Sequence, residues 1–169
     1  MKRILPAFLF ISIFIVSGVN QTLAESKGDL ESTVEQAIAV RNTGDTAIAL
    51  ELYAKDVKYN LVDQVPAQLN GVKEIMAYYD FLRTAYPDMK YEIKHLTVDG
   101  NKVIAQNKFT GTNTGPRGDQ PPTNKKVTFS SVSIFYITNG EISQVDVYTN
   151  KAAIFRQLGM TEIPTEDSK

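Results

Sequence analysis

The stretch GEISQVDVYTNKAAIFRQLG, residues 140–159, reads as a strand that runs directly into a short helix. Successive side chains of an extended chain point to opposite faces. One face of this strand therefore carries Gln144, Asp146, Tyr148 and Asn150, and the other Ser143, Val145, Val147 and Thr149. Which face looks inward decides whether Asp146 is a reactive group in a cavity or a solvated carboxylate. Alternation alone favours Val145 and Val147 in the core, because lone carboxylates are usually exposed. Asn150 directly precedes KAAIFRQL and suits a helix N-cap, with Gly159 as the matching stop.

The DG pair at Asp99-Gly100, a Gly/Pro-rich loop and the NG pair at Asn139-Gly140 separate four strand-like runs: MKYEIKHLTVDG, KVIAQNKFTGT, KKVTFSSVSIFYI and EISQVDVYTN. Such pairs are hairpin signals, so the sheet is expected to be largely antiparallel. In the third run, Val127 and Phe129 are in one phase while Val132, Ile134 and Tyr136 are in the other, which predicts a bulge or bend at Ser130-Ser131. The first half of the chain is helical. Leu30, Val34, Ala37, Ile38 and Arg41 follow helical spacing up to Gly44, and Asp45 caps a second short helix. After the strand KDVKYNLVD comes a helix with Val72, Ile75, Met76, Tyr79 and Leu82 on one stripe, ended by Tyr86-Pro87. Helices followed by strands give an α+β domain whose helices close off the concave face of a bent sheet. The Gly/Pro-rich GTNTGPRGDQPPTNKK is a candidate rim or lid.

Lys2 and Arg3, the apolar run Ile4 to Val19, and small residues up to Ala24 form a secretory signal pattern, with cleavage expected after Ala24. The expected organisation is a signal peptide at 1–24, one domain at 25–160 and a C-terminal tail at 161–169. It corresponds to a periplasmic or secreted protein without a stable membrane anchor. Without Lys2 and Arg3, the mature chain keeps 16 basic residues against 19 acidic ones, a net charge of −3. That balance argues against nucleic acid as partner, since phosphate neutralisation needs a basic surface. With no cysteine, thiol chemistry and Cys-ligated metals are ruled out; with His95 as the single histidine, histidine-based metal sites and triads have little to draw on, and no metal is expected.

Asp146, if inward, would be desolvated and able to shuttle a proton, with Tyr148 donating to a developing oxyanion. Val145, Val147 and Ile137 would then need another cover, for which a homodimer interface is the natural candidate. Phe109 and Phe129, with several tyrosines, supply core or cavity walls. The GTNTGPRGD string has no phosphate-loop spacing, and its RGD is a short loop triplet.

The order of these elements, with YPDMKYEIKHLTVDGNKV, GTNTG followed by PPTNKKVTF, VSIFYITNGEI and the closing FRQLG, resembles the SnoaL-like polyketide cyclases, also called ester cyclases, of the nuclear-transport-factor-like (NTF2-like) cone folds. The resemblance covers roughly Val34 to Met160. It implies a curved antiparallel sheet wrapped by N-terminal helices around a largely apolar cavity, with the even face of the last strand turned into that cavity. It also implies an intramolecular aldol reaction without metal or organic cofactor, with an aspartate at the end of this strand as acid/base. Asn150 matches that aspartate, Asn113 matches a loop histidine, and Asn60 stands where relatives often carry histidine. Asparagine keeps the cap but cannot act as a general base. Asp146 is then the remaining carboxylate on that face. The resulting expectation is a domain that binds a small, largely apolar molecule, with acid/base chemistry of the cyclase or isomerase type at Asp146. Asn60, Tyr148, Asn150, Phe109 and Phe129 are the expected ligand contacts. The alternative is a binding or dimeric assembly module without catalysis.

Overall fold

The computed structural model describes residues 26–62, 64 and 66–160; the expected signal segment and the C-terminal tail lie outside the described residues. In chain order the elements are α1 (Lys27–Thr43), α2 (Thr46–Leu52), β1 (Tyr53–Leu61), β2 (Gln68–Asn70), α3 (Gly71–Ala85), β3 (Lys90–Asp99), β4 (Lys102–Thr112), β5 (Lys126–Thr138), β6 (Glu141–Thr149) and α4 (Lys151–Leu158). The helix corner between α1 and α2 follows from its sequence. Gly44 ends α1 in the left-handed conformation, and the Asp45 carboxylate accepts from the Ala47 and Ile48 N–H groups that open α2.

The six strands form one sheet in the order β2-β1-β6-β5-β4-β3. All neighbours run antiparallel except β1 and β6, which are parallel and pair Tyr59 with Val145 and Asn60 with Asp146. The β5–β6 hairpin turns on Asn139 and Gly140, both at positive φ (53° and 83°), as a two-residue turn with the right twist requires. The inner face packs against the helices: Tyr59 and Leu61 of β1, Val103 and Phe109 of β4, Phe135 and Ile137 of β5, and Val145 and Val147 of β6 are all buried. Each large apolar side chain so buried stabilises the fold by about 2 kcal/mol.

The expected bulge at Ser130-Ser131 is not there. The β4–β5 ladder runs without a break from Lys102↔Tyr136 to Thr112↔Lys126. β5 keeps one phase, with Val127, Ser131, Ser133, Phe135 and Ile137 buried and Val132, Ile134 and Tyr136 on the outer face. Two small hydroxyl residues occupy inward positions, and Asn107 of β4 donates from Nδ2 to the Ser133 hydroxyl at 3.3 Å. The apolar pattern changes phase there while the backbone does not. Irregularities in register lie elsewhere, between Tyr136 and Ile137 against β6 and between Ile93 and His95 against β4.

The Gly/Pro-rich loop is fastened to the end of α3 by Asn113, which is 1% exposed. Its Nδ2 donates to the Ala85 and Gly115 carbonyls at 3.1 and 2.9 Å, and its Oδ1 accepts from the Thr123 N–H and hydroxyl at 2.9 and 3.0 Å. Gly115 passes so close to α3 that a Cβ there would collide with the Thr84 carbonyl. Asn113→Ala removes four bonds from a buried hub and is expected to cost about 3 kcal/mol, read as a lower urea midpoint at unchanged m-value.

Asp88 accepts from the Thr112 N–H at 2.6 Å and from its hydroxyl at 2.7 Å, and these bonds hold its carboxyl below the ordinary range. Bonding to the ionised form stabilises the fold above the unfolded carboxyl pKa, near 4, and that stabilisation is lost as pH falls through the depressed folded value. Asp88 is exposed, so the effect is small. Asp88→Asn is expected to cost about 1 kcal/mol near neutral pH, a difference that closes in parallel denaturation series as pH falls through the depressed folded value.

Candidate functional site

The inner face of the sheet and the helices enclose a recess of about 50 Å³. Every strand from β3 to β6 contributes to its wall, as does β1: Tyr59, Tyr91, Phe109, Phe129, and Val147 with Thr149. Arg41 enters from α1, Tyr78 and Leu82 from α3, Ile154 and Lys151 from α4, and Arg117 from the long loop. The aromatic rings brace one another. Phe109 and Phe129 stack at 4.6 Å between centroids, and Tyr91 meets Phe109 edge-on at 5.0 Å.

Outside the recess lies a mouth cavity of about 680 Å³ with Leu61, Pro66, Leu69, Ala77, Phe81 and Phe155 in its wall. Gln64, Tyr78, Leu82, Arg117 and Lys151 line both spaces, so the two adjoin. A volume of this size suits a small organic molecule, whereas the recess alone holds a few water-sized groups. Arg117 sits with its guanidinium 4.8 Å from the centroid of Phe155, which places the loop's cation at the mouth.

Arg41 is the one fully buried charged side chain, 2% exposed, among the described residues. Its periodicity puts it on the same stripe of α1 as Leu30, Val34 and Ile38, which carries it inward. Nη2 donates to the Tyr59 hydroxyl at 2.7 Å, and the guanidinium lies 4.8, 5.5 and 5.9 Å from the ring centroids of Tyr91, Tyr79 and Tyr59. Its Nε has no partner among the described residues. Burial works against its charge, but the surrounding tyrosines Tyr59, Tyr79, Tyr91 and Tyr53 raise its pKa further above the ordinary value, so it remains a cation. Burying an ion costs several kcal/mol, and each well-placed aromatic face offsets about 1–2 kcal/mol of that.

The tyrosines do not neutralise it. Burial pushes Tyr59, Tyr53 and Tyr91 well above the usual phenol range, and Tyr78 up to about 12. All stay uncharged near neutral pH and serve as hydroxyl donors or acceptors. Lys151 shifts the other way, lowered by burial and then by the positive charge of Arg117. The described lining of the recess thus carries three cationic side chains and no carboxylate.

The sequence-expected residues divide between two sides of the sheet. Phe109 and Phe129 face the recess. Asp146, Asn60 and Tyr148 do not. Val145 and Val147 are buried on the inner face, so their even-numbered neighbours point outward, and the orientation implied by the family resemblance is reversed here. The physical reason is the ladder: β6 is paired on both edges, and two-residue alternation fixes all its side chains at once. On the outer face, Asn60 Nδ2 and Gln144 Nε2 both donate to Asp146 Oδ1, at 2.6 and 2.9 Å. Partial burial, and then the charge of Asp146, raise the Tyr136 phenol pKa. Asp146 is thus held in an amide–carboxylate network away from the recess, and Tyr148 is 46% exposed.

Asn150 caps α4, its Oδ1 accepting from the Ala153 N–H at 3.0 Å. Val145, Val147 and Ile137 are core residues and offer no dimer surface; the apolar side chains of β4 to β6 on the outer face include Ile104, Val132, Ile134, Tyr136 and Tyr148. The residues that sequence reasoning passed over are Arg41, Arg117 and Lys151. A cation on the apolar stripe of α1 was the available signal.

No helix among the described residues is long and apolar enough to cross a membrane, and these residues contain no cluster of three metal-ligating side chains. Comparison with solved structures gives the same architecture. A protein described as a SnoaL-like polyketide cyclase from Jannaschia sp. CCS1 superposes with a TM-score of 0.73 at 18% identity, over 82% of this chain and 98% of that one. TsrD from Streptomyces laurentii gives 0.70 at 21% identity, over 80% and 98%. An epoxide hydrolase of the LEH-like type from M. tuberculosis gives 0.62 at 16% identity, over 78% and 90%. At these identities the likeness concerns the fold. No curated protein sequence matches significantly. The sequence model of the SnoaL-like polyketide cyclases matches residues 31–158, most of the chain, and with the curved, mostly antiparallel six-stranded sheet it establishes that this protein belongs to the SnoaL-like family of NTF2-like cone folds.

Proposed function

We propose that this protein is an exported binding domain that takes up a small, largely apolar molecule through the mouth cavity and holds its inner end in the aromatic recess. The observation that carries this reading is the continuity of the two spaces, about 680 and about 50 Å³, through shared lining residues. The outward apolar mouth and the braced rings below it supply the burial that binding needs. Export is supported by Lys2-Arg3, the apolar run to Val19 and the small residues before Glu25. N-terminal sequencing of protein recovered from the cell exterior or periplasm is expected to begin at Glu25.

Binding is favoured over ring closure or isomerisation by acid/base chemistry. Such chemistry needs a titratable group against the substrate with a pKa near the working pH. Asp146 faces away, Asn113 is committed to the loop hub, Asn150 to the helix cap, the tyrosines of the recess are held neutral, and Lys151, whose pKa burial lowers, has no carboxylate on the recess wall to work with.

Ala77 is exposed at the mouth, so Ala77→Trp is expected to fill that space while changing stability by only about 0.5 kcal/mol. The neutral fluorophore N-phenyl-1-naphthylamine is expected to bind the parent saturably at one site and the variant at least about tenfold more weakly, a loss of about 1.4 kcal/mol. Equal binding by both, or none by the parent, would count against the cavity as the site.

A further inference from the structure

Arg41 presents a charge that no described carboxylate answers. We propose that the recess around Arg41 recognises the carboxylate of an acidic ligand whose apolar, ring-bearing body fills the mouth cavity, an inference that rests on the cavity reading above. The guanidinium has five N–H donors in a planar fork that matches a carboxylate, and its one side-chain bond among the described residues goes to Tyr59. Nε is buried without a described partner. A buried arginine used for packing alone gains little over an apolar residue of similar volume, whereas one held ready for an anion regains its charge pairing when the ligand arrives.

Charge and size agree on the ligand's polarity. Arg117 and Lys151 border both the recess and the mouth, whereas the described carboxylates nearby, Glu74 and Asp119, line the mouth alone. The ligand therefore meets positive potential along the path inward and strongest enclosure at its end. The recess, at about 50 Å³, admits a group of a few heavy atoms but no ring, and the mouth, at about 680 Å³, admits rings. Of the three cations on the recess wall only Arg41 is fully buried, and its planar fork matches the two oxygens of a single carboxylate. Tyr78, shared by both spaces, is placed to meet the junction between head and body.

The test compares 2-naphthaleneacetic acid with its methyl ester by titration calorimetry at about pH 7.5, with 2-naphthyl phosphate as a third probe. The acid is expected to bind at least about tenfold more tightly than the ester. Arg41→Gln is expected to bring the acid down to the ester's affinity while moving the ester less than about threefold. If Arg41→Gln does not fold, Arg41→Lys, which keeps the charge but loses the fork, is expected to give an intermediate acid-to-ester ratio, and the parent's ratio decides by itself. Equal affinity for acid and ester overturns the anion assignment while leaving the cavity reading intact. Discrimination that survives in folded Arg41→Gln overturns the role of Arg41, and tighter binding of the phosphate overturns the carboxylate. If no naphthyl probe binds, both the inference and the cavity reading fall.

Discussion

The arrangement of this protein depends on the double pairing of β6. Hydrogen-bonded to β1 along one edge and to β5 along the other, it cannot shift by a residue without breaking both ladders and turning Val145 and Val147 out of the core. That constraint decides the chemistry of both faces at once. Tyr59, Val147 and Phe129 meet around the recess, and Asn60, Gln144 and Asp146 are gathered on the opposite surface, where the carboxylate is satisfied by two amides.

Much of the architecture was legible in the sequence because the signals were local. Gly44 with Asp45 marked the corner between α1 and α2, Asn139-Gly140 marked the hairpin, and Asn150 with Gly159 framed α4. The β5 phase was misread because hydropathy stands in for orientation only when inward positions are apolar. Ser131 and Ser133 are inward hydroxyls, one of them bonded to Asn107, and the continuous ladder overrides the pattern. The orientation of Asp146 was legible too. Alternation placed the valines inside, and the family resemblance reversed a reading that the structure supports.

The recess was harder to see because its defining residue comes from a helix whose pattern looks ordinary. Arg41 lies in phase with Leu30, Val34 and Ile38, and a single cation at the end of such a stripe is easily taken for a side chain that reaches solvent. What keeps it inside is tertiary: the Tyr59 hydroxyl from β1 and the rings of Tyr79 and Tyr91, supplied by segments 18 to 50 residues away in sequence. Asn113 gives the converse lesson. At the position where the family resemblance implied a loop histidine, Asn113 is a buried amide that ties a loop to α3.

The parallel contact between β1 and β6 has a consequence for how the chain matures. Tyr59 waits for Val145, so the middle of the sheet is completed by the last described strand to be synthesised. Until then one edge of β1 stays unclosed, and contacts of such long sequence separation slow the final collapse. A polypeptide of this topology keeps the middle of its sheet open until its C-terminal hairpin arrives.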